Sequence, residues 1–337
     1  MDARLLSRVL TEPSYALTLT PGGWTALLEM ARAERLDAAL AVRLDGLTVP
    51  PVVGRMLTQA RSNAETGRTQ ALFEAEMARR ALQPLGIAVI LLKGTAFVAA
   101  GLSAGQGRLI GDLDILVPRD RLDEAEAALL TAGWEWVKED AYDASYYRDH
   151  MHELPPLIHR TRDRMIDVHH TILPPTARPT PDAAALIAAS VDLGNGLRTL
   201  CPEDMIIHAV THLFADGDLA GGLRNLWDID RLIREFQDVE GFWDRLLDRA
   251  RLHQVPKSTA RALRLCHHLF ETPVHPGIAW KARRGDIFYI GRLLARDSWG
   301  RETRKLLRFA FYVRSHWIRM PPLMLAKHLW VKWRRQS

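Results

Sequence analysis

The stretch Gly111-Asp112-Leu113-Asp114-Ile115-Leu116-Val117 predicts a buried strand that begins with two carboxylates. Side chains alternate along a strand, so Asp112 and Asp114 point to the same face, about 6.5–7 Å apart. That spacing suits shared binding of one or two hard divalent cations, which prefer carboxylate oxygens. Outside this pair, Asp167 is the aspartate that lies within another strand-like run, Met165 to His169. Asp167 is therefore the predicted third acid of the site.

Two further Asp-x-Asp pairs occur in the chain, and their surroundings differ from those of the first. Asp216 and Asp218 flank a glycine, which is typical of a turn. Asp228 and Asp230 lie on a predicted helix, where residues two apart do not face each other. The first pair alone has the period of a strand. The alternative for that pair is two acids at a strand end, exposed to solvent.

Apolar runs on both sides of this stretch predict the rest of a small mixed sheet. Ile87 to Leu92 is a short continuous apolar run, which is typical of a buried strand. It ends at Lys93-Gly94, and a short helix is expected from Thr95 to Ala100, with Thr95 as its N-cap. Further predicted elements are a helix at Arg119 to Ala132 and strands at Trp134 to Val137, Met151 to His159 and Met165 to His170.

Amphipathic periodicity predicts helices before and after this sheet. Residues 1–82 are expected to be helical throughout, and later helices are expected at 181–189, 202–214, 223–236, 242–253 and 258–270. The fold class is therefore α+β, with a small mixed β-sheet core flanked by N-terminal and C-terminal helical segments. The predicted boundaries are 1–82 for the N-terminal helical segment, 83–175 for the core, 176–275 for a helical domain that covers the cleft, and 276–337 for a basic aromatic helical tail.

Composition indicates a globular protein without a membrane span. The chain has 337 residues, of which 47% are hydrophobic and 25% charged, and this excludes a disordered or collagen-like chain. The first residues do not resemble a signal peptide, and no run of about 18 apolar residues occurs, so no transmembrane segment is expected. Two cysteines, Cys201 and Cys266, are too few for a disulfide framework. A reducing cytoplasm is the predicted compartment.

Positive charge is concentrated towards the C-terminus. Residues 281–337 hold 15 Lys and Arg against three acids, whereas the whole chain has a formal charge of +5. Residues 301–337 also interleave their cations with aromatic side chains. This pattern fits RNA or single-stranded nucleic acid, through phosphate contacts and stacking, and it equally fits an anionic membrane surface. A basic helix that packs on the acidic body of the same chain is the third interpretation.

Four segments taken together resemble one known superfamily. They are Leu91-Leu92-Lys93-Gly94-Thr95-Ala96, Arg108, Gly111 to Val117, and Ile166-Asp167-Val168-His169. The pattern resembles the DNA-polymerase-β-like nucleotidyltransferases and, within them, the uncharacterised bacterial nucleotidyltransferase branch with a Lys-Gly turn. The resemblance covers roughly residues 70–240. It implies that Asp112, Asp114 and Asp167 bind two Mg²⁺ ions, with Mn²⁺ as a substitute, and that Asp167 also assists deprotonation of the acceptor.

The same resemblance assigns the turn after the first strand to the nucleotide phosphates. A strand that ends at Gly94 and opens a helix presents backbone N–H groups and a positive helix end to phosphate oxygens. Lys93 adds a point charge, and the Thr95 hydroxyl is a further donor. Arg108 is a second cation for the triphosphate, and its alternative role is plain loop solubility. Most of the superfamily has Gly-Ser where this chain has Lys93-Gly94.

Two histidines are predicted to contact substrate. His169 shares a strand face with Asp167, and His152 lies at the start of the strand pair that leads to it. A structural histidine is the alternative for each. The helix from Leu223 to Phe236 is expected to present a solvated, salt-bridged face, with a role beside the nucleotide base as its alternative.

These features predict a Mg²⁺-dependent nucleotidyltransferase that moves an NMP group from an NTP to an acceptor and releases pyrophosphate. The acceptor is open between a small molecule, an RNA end and a protein, and the identity of the NTP, ATP among them, is open too. One alternative is a catalytically silent module that keeps the fold and binds RNA or an anionic membrane through residues 301–337. Another is phosphotransfer from a nucleotide or sugar-phosphate donor on the same fold.

Overall fold

A seven-stranded mixed sheet lies at the centre of the computed structural model, which describes residues 2–137, 151–215, 218–275, 283–319 and 330. The strands are β1 Val89–Leu91, β2 Leu113–Leu116, β3 Trp134–Trp136, β4 Leu157–His159, β5 Met165–His169, β6 Val191–Asp192 and β7 Leu197–Thr199. Their order across the sheet is β3-β4-β5-β2-β1-β7-β6. β2 pairs with β5 and β1 with β7 in parallel, and the remaining neighbours are antiparallel. The predicted mixed sheet is confirmed.

The two central strands are short and buried along their whole length. Every residue of β1 and β2 is buried, which explains why their sequences are continuous apolar runs rather than alternating ones. Asp114 is the exception within β2, since it is a charged residue with 4% exposure. A buried carboxylate is costly unless it has partners, so its surroundings are expected to be specialised.

Four helices precede the sheet, as their periodicity predicts. They are α1 Arg4–Thr11, α2 Pro21–Ala33, α3 Asp37–Arg43 and α4 Pro51–Leu82. α2 begins with a standard signal, since the Thr20 side chain accepts a hydrogen bond from the Gly23 N–H and Pro21 is the first helical residue. α4 is 32 residues long, turns a stripe of alanines inward and contacts both α3 and the sheet.

The helix after β1 begins two residues earlier than predicted. α5 spans Lys93–Ala99, and no side chain caps its start. The expectation that Thr95 is the N-cap is wrong, because Thr95 lies inside the first turn and is 1% exposed. The predicted helix that ends near Gly133 is present as α6 Leu122–Thr131.

The helices predicted after the sheet are all present, and two more follow them. They are α7 Ala183–Ala188, α8 Pro202–Ala215, α9 Gly222–Phe236, α10 Phe242–Leu252, α11 Pro256–Phe270, α12 Asp286–Leu293 and α13 Lys305–Arg319. The expected salt bridge on α9 is present, since Arg234 Nε lies 2.9 Å from Asp230 Oδ1, but the expectation that this face is solvated is wrong, because Asp228 and Asp230 are 4% and 0% exposed. The spacing of charges along a helix does not reveal whether another element covers them.

α13 lies in the predicted basic tail, as α12 does, and one of its faces packs on the body. The Phe311 ring is 5% exposed and meets the Tyr289 ring edge-on at 4.8 Å. Arg308 pairs with Asp218 at 2.7 Å. These contacts favour the third interpretation of the tail for this helix. Apart from Trp330, residues beyond 319 lie outside the described part of the chain, as does the turn at Asp216-Gly217.

One continuous hydrophobic cluster joins the segments on both sides of the sheet. Leu6 of α1, Leu91 of β1 and Leu232 of α9 belong to it, and each is 0% exposed. The fold class is α+β, as predicted. Among the helices that the structure describes, none is both long enough and apolar enough to span a membrane.

Candidate functional site

Strand register brings the three predicted acids together. β2 and β5 run parallel, with Asp114 directly opposite Asp167, and Asp112 comes just before β2. Carboxylate oxygens of these three residues all lie within 4.8 Å of one another. Asp114 is buried, Asp167 is half-buried and Asp112 is exposed. This group, called the acid triad below, therefore has one side open to solvent.

Asp114 is the buried end of the acid triad. Its Oδ1 accepts hydrogen bonds from Lys93 Nζ at 2.6 Å and from His169 Nε2 at 3.0 Å. Burial alone would raise the pKa of Asp114, but the Lys93 charge and the His169 bond hold that pKa well below its usual range. Burial would likewise lower the pKa of Lys93, and the Asp114 carboxylate raises it instead. Both groups are therefore charged at neutral pH.

Asp167 is the acid of the triad whose charged form is disfavoured. Burial and the negative charges of Asp114 and Glu153 raise the pKa of Asp167 to about 7. Three carboxylates lie close together beside a single lysine. A bound divalent cation would reduce the repulsion between them. The donor set is also the kind that Mg²⁺ and Mn²⁺ prefer, namely carboxylate oxygens with room for further oxygen ligands. The residues present therefore fit a divalent ion.

The backbone of Lys93 is strained. Its φ is 48°, in the left-handed region that costs about 1–2 kcal/mol for a residue with a Cβ atom. Glycine adopts this conformation freely, whereas lysine does not. The ion pair of Lys93 with Asp114 offsets this strain.

Arg108 lies beside this turn, in a tightly packed loop. A Cβ atom on Gly94 would lie 3.1 Å from Arg108 Nε, so glycine leaves room for the guanidinium. Gly107 has φ 67°, and a Cβ atom there would lie 2.5 Å from the Ala38 carbonyl oxygen, so the loop presses on α3. Arg108 Nη2 lies 3.2 Å from Asp228, while Nε and Nη1 have no hydrogen-bond partner among the described residues. Buried donors without partners are suited to a bound anion.

The acid triad and Arg108 line one cleft of about 1220 Å³. The positive residues on its wall are Arg35, Lys93, Arg108, Arg224 and Arg319. Burial and the neighbouring charge of Arg108 lower the pKa of Arg224 to about 10, which shows how crowded positive charge is here. Carboxylates and cations that line the same cleft suit a metal-bound polyphosphate.

Of the residues predicted to bind nucleotide or substrate, all but one line this cleft. Those in the cleft are Lys93, Gly94, Arg108, His152 and His169. Thr95 is not among the lining residues, and its side chain is buried below the turn. Arg108 is 9% exposed and paired, so the alternative of plain loop solubility does not describe it.

Sequence reasoning missed four charged residues of the cleft, namely Arg35, Glu153, Arg224 and Arg319. Arg35 follows α2, and Arg224 lies in the first turn of α9. Both reach the cleft through tertiary packing, which leaves no local pattern in the sequence. For Arg224 the sequence offers one signal. Arg224 lies four residues before Asp228 on the same helix face, and Asp228 is the partner of Arg108.

Comparison with known proteins adds an independent observation. One family model, described as "Uncharacterised nucleotidyltransferase", matches residues 20–271, which is most of the 337-residue chain. The matched range includes the acid triad, the Lys93 turn, Arg108 and α9. No curated protein and no solved structure gives a significant match. The chain therefore belongs to this family of uncharacterised nucleotidyltransferases.

Proposed function

We propose that the protein transfers an NMP group from an NTP to an acceptor and releases pyrophosphate, with Mg²⁺ held by Asp112, Asp114 and Asp167. One observation supports this above others: three carboxylates within 4.8 Å of one another at a cleft whose wall also carries cations. Two Mg²⁺ ions, with Mn²⁺ as a substitute, are part of the proposal. So are a cytoplasmic location and membership of the bacterial branch with the Lys-Gly turn.

In this proposal, each residue of the cleft has a separate role in the transfer reaction. Bound divalent ions supply activation of the attacking group and charge balance on the leaving pyrophosphate. A carboxylate oxygen of Asp167 accepts the proton of the attacking hydroxyl. Lys93 fixes the orientation of Asp114 through their ion pair, and His169 fixes it from the other side.

Phosphate oxygens are assigned to the cationic wall. Arg108 offers two buried donors without partners among the described residues, at Nε and Nη1. Arg224 and Arg35 line the same cleft and add charge around a triphosphate. Gly94 contributes by leaving space for the Arg108 side chain.

The acceptor belongs on the side of the cleft that carries His152 and His169. His169 is 1% exposed and bonded to Asp114, so in this proposal it positions that acid. His152 is more open and suits contact with the acceptor. A small molecule, an RNA end and a protein side chain all carry hydroxyl groups that this chemistry would accept.

The position of the ³²P label in the NTP distinguishes NMP transfer from phosphotransfer. With Mg²⁺ and a panel of acceptors, label from an [α-³²P]NTP is expected in the product, and label from the [γ-³²P]NTP is expected in pyrophosphate. Transfer of the γ label to the acceptor would overturn the proposal in favour of phosphotransfer. Transfer of neither label, together with binding of RNA or anionic vesicles, would favour the silent module.

The matched control for this assay is Asp112→Asn. Asp112 is exposed, so its replacement removes a carboxylate from the acid triad with little effect on packing. Loss of α-label transfer in this variant, with an unchanged unfolding transition, is the expected result. Unchanged transfer would reject the acid triad as the site.

A further inference from the structure

A second group of ligand-type side chains adjoins the acid triad, and the proposed reaction leaves part of it unused. His152, Glu153 and His169 each place a ligand atom within 4.8 Å of the other two. Their positions are fixed by the backbone, because Glu153 and His169 form an antiparallel bridge and the His170 N–H donates to the His152 carbonyl at 2.9 Å. All three line the same cleft as the acid triad. This group is called the histidine cluster below.

The two ring nitrogens of His169 have different surroundings. Nε2 lies 3.0 Å from Asp114 Oδ1, and a carboxylate only accepts, so Nε2 carries a hydrogen. In the neutral ring, Nδ1 then has a lone pair. Nδ1 is buried, has no hydrogen-bond partner in the described part of the chain, and lies 3.4 Å from Glu153 Oε2. With the ring neutral, these two electron-rich atoms would face each other, and either a metal ion or a proton between them would remove the repulsion.

His152, which directly precedes Glu153 in the chain, is the third member of the histidine cluster. Its Nε2 lies 3.7 Å from the same Glu153 oxygen, and its ring centre lies 5.2 Å from that of His169. Its side chain is 24% exposed and lines the cleft, so the ring lies where an ion entering from solvent can reach it. Its Nδ1 also has no hydrogen-bond partner within the ranges described.

The distances match those around a small transition-metal ion. With bonds of about 2.0–2.1 Å, two ligand atoms of a tetrahedral zinc site are roughly 3.4 Å apart. The two measured separations to Glu153 Oε2 are 3.4 Å and 3.7 Å. The bond from His169 Nε2 to Asp114 is also the usual support of a metal-binding histidine, in which the second nitrogen donates to a carboxylate.

We propose that His152, Glu153 and His169 Nδ1 bind a first-row transition-metal ion, of which Zn²⁺ is the best match, beside the acid triad. Imidazole ligands favour such ions over Mg²⁺, whereas the all-carboxylate triad favours Mg²⁺. The cleft would therefore hold two different kinds of cation. Three protein ligands leave a coordination position for a water or a substrate group from the cleft. This site goes beyond the proposed NMP transfer and does not depend on it.

Co²⁺, which absorbs visible light when bound by nitrogen and oxygen ligands, tests this site in the full-length protein. All titrations use the Asp112→Asn background with excess Mg²⁺, so that the acid triad does not contribute. One Co²⁺ per chain is expected to bind with a visible spectrum. Adding His152→Asn or Glu153→Gln should weaken Co²⁺ binding at least about tenfold. His268→Asn, at an exposed histidine far from the cleft in sequence, is the matched control and should change nothing.

A second readout separates ligand loss from misfolding. Zn²⁺ should raise the unfolding temperature of the background protein and of the His268→Asn control, but not that of the His152→Asn variant. Far-UV circular dichroism confirms that each variant is folded before titration, and His152→Asn suffices if Glu153→Gln does not fold. The proposal is overturned if the background protein binds neither Co²⁺ nor Zn²⁺, which would mean that a proton on Nδ1 takes the place of the metal. It is also overturned if His152→Asn binds Co²⁺ as tightly as the control.

Discussion

The buried Asp204 on α8 and the buried Asp114 on β2 have the same kinds of partners but different surroundings. Asp204 Oδ1 accepts a hydrogen bond from Arg249 Nε at 2.7 Å, and the second guanidinium nitrogen bonds to Oδ2. His253 Nε2 lies 3.2 Å from Oδ1, and its Nδ1 accepts the Asp182 backbone N–H at 3.2 Å. Both ring nitrogens of this histidine are therefore satisfied. Asp204 is not among the residues that line the cleft.

The cluster around Asp114 repeats this pairing but has surplus negative charge. Lys93 and His169 bond to Asp114, yet two further carboxylates lie within 4.8 Å, and the pKa of Asp167 is raised to about 7 by burial and by its acidic neighbours. His169 Nδ1 has no hydrogen-bond partner in the described residues. A buried ion pair is thus weak evidence of function. Surplus charge and unsatisfied polar atoms beside a cleft are stronger evidence.

Replacing Asp114 should produce the largest effect, with a greater loss of catalysis than of stability. Asp114→Asn is expected to lower NMP transfer at least about 1,000-fold, because it removes the anchoring acid of the triad. The free energy of unfolding should also fall, by about 1–3 kcal/mol, because the lowered pKa of Asp114 means that the fold favours its charged form and because Lys93 loses this partner. Product formation from [α-³²P]NTP and urea unfolding measure the two quantities. If Asp114→Asn retained NMP transfer, Asp114 would not differ from Asp204 in its role, and the comparison between the two clusters would fail.

Replacing Asp204 should show the opposite pattern. Asp204→Asn is expected to lower the free energy of unfolding by about 3–5 kcal/mol, because the Arg249 charge is left without its partner. Turnover per folded molecule should stay at the wild-type value. Urea unfolding followed by circular dichroism gives the first quantity, and activity normalised to the folded fraction gives the second. A variant as stable as wild type would show that the Asp204 cluster does not serve stability.

The dependence of the free energy of unfolding on acidic pH gives a further test of the Asp204 cluster. Burial would raise the pKa of Asp204, but the bonds from His253 and Arg249 lower it below its ordinary value. Its stabilising effect is therefore complete above a pH of about 4 and is lost as pH falls through the lowered pKa. Wild type should lose stability below this pH more steeply than Asp204→Asn does. Equal slopes in urea unfolding at several acidic pH values would contradict this assignment.

The smallest predicted effect concerns the backbone of the Lys93 turn. Lys93→Gly and Lys93→Ala both remove the ammonium group, but glycine adopts a φ of 48° without strain. The glycine variant should therefore be about 1 kcal/mol more stable than the alanine variant, despite the greater freedom of glycine in the unfolded chain. Thermal unfolding of the two variants side by side measures this difference. Greater stability of the alanine variant would rule out a strained turn.

The acid triad was predictable because its signal is local. Asp112 and Asp114 are two residues apart in a strand-like run, and Asp167 lies within another such run. Parallel pairing of β2 and β5 then places Asp114 opposite Asp167. Hydrophobic periodicity also predicted the α+β class and the helices on both sides of the sheet.

Features that depend on tertiary packing were not predictable in the same way. Thr95 has the residue type of an N-cap, but the helix begins at Lys93 and buries it. Asp228 has the spacing of a solvated helix face, yet it is buried against Arg108. Arg35 enters the cleft from a segment that no local pattern links to the acid triad.

A crystal structure of the protein with Mn²⁺ and a non-hydrolysable NTP tests the central claim most directly. Anomalous scattering at the manganese edge should place an ion between the carboxylates of Asp112, Asp114 and Asp167, with the triphosphate between that ion and Arg108. An NTP bound elsewhere, or no manganese signal at these three carboxylates, would contradict the account.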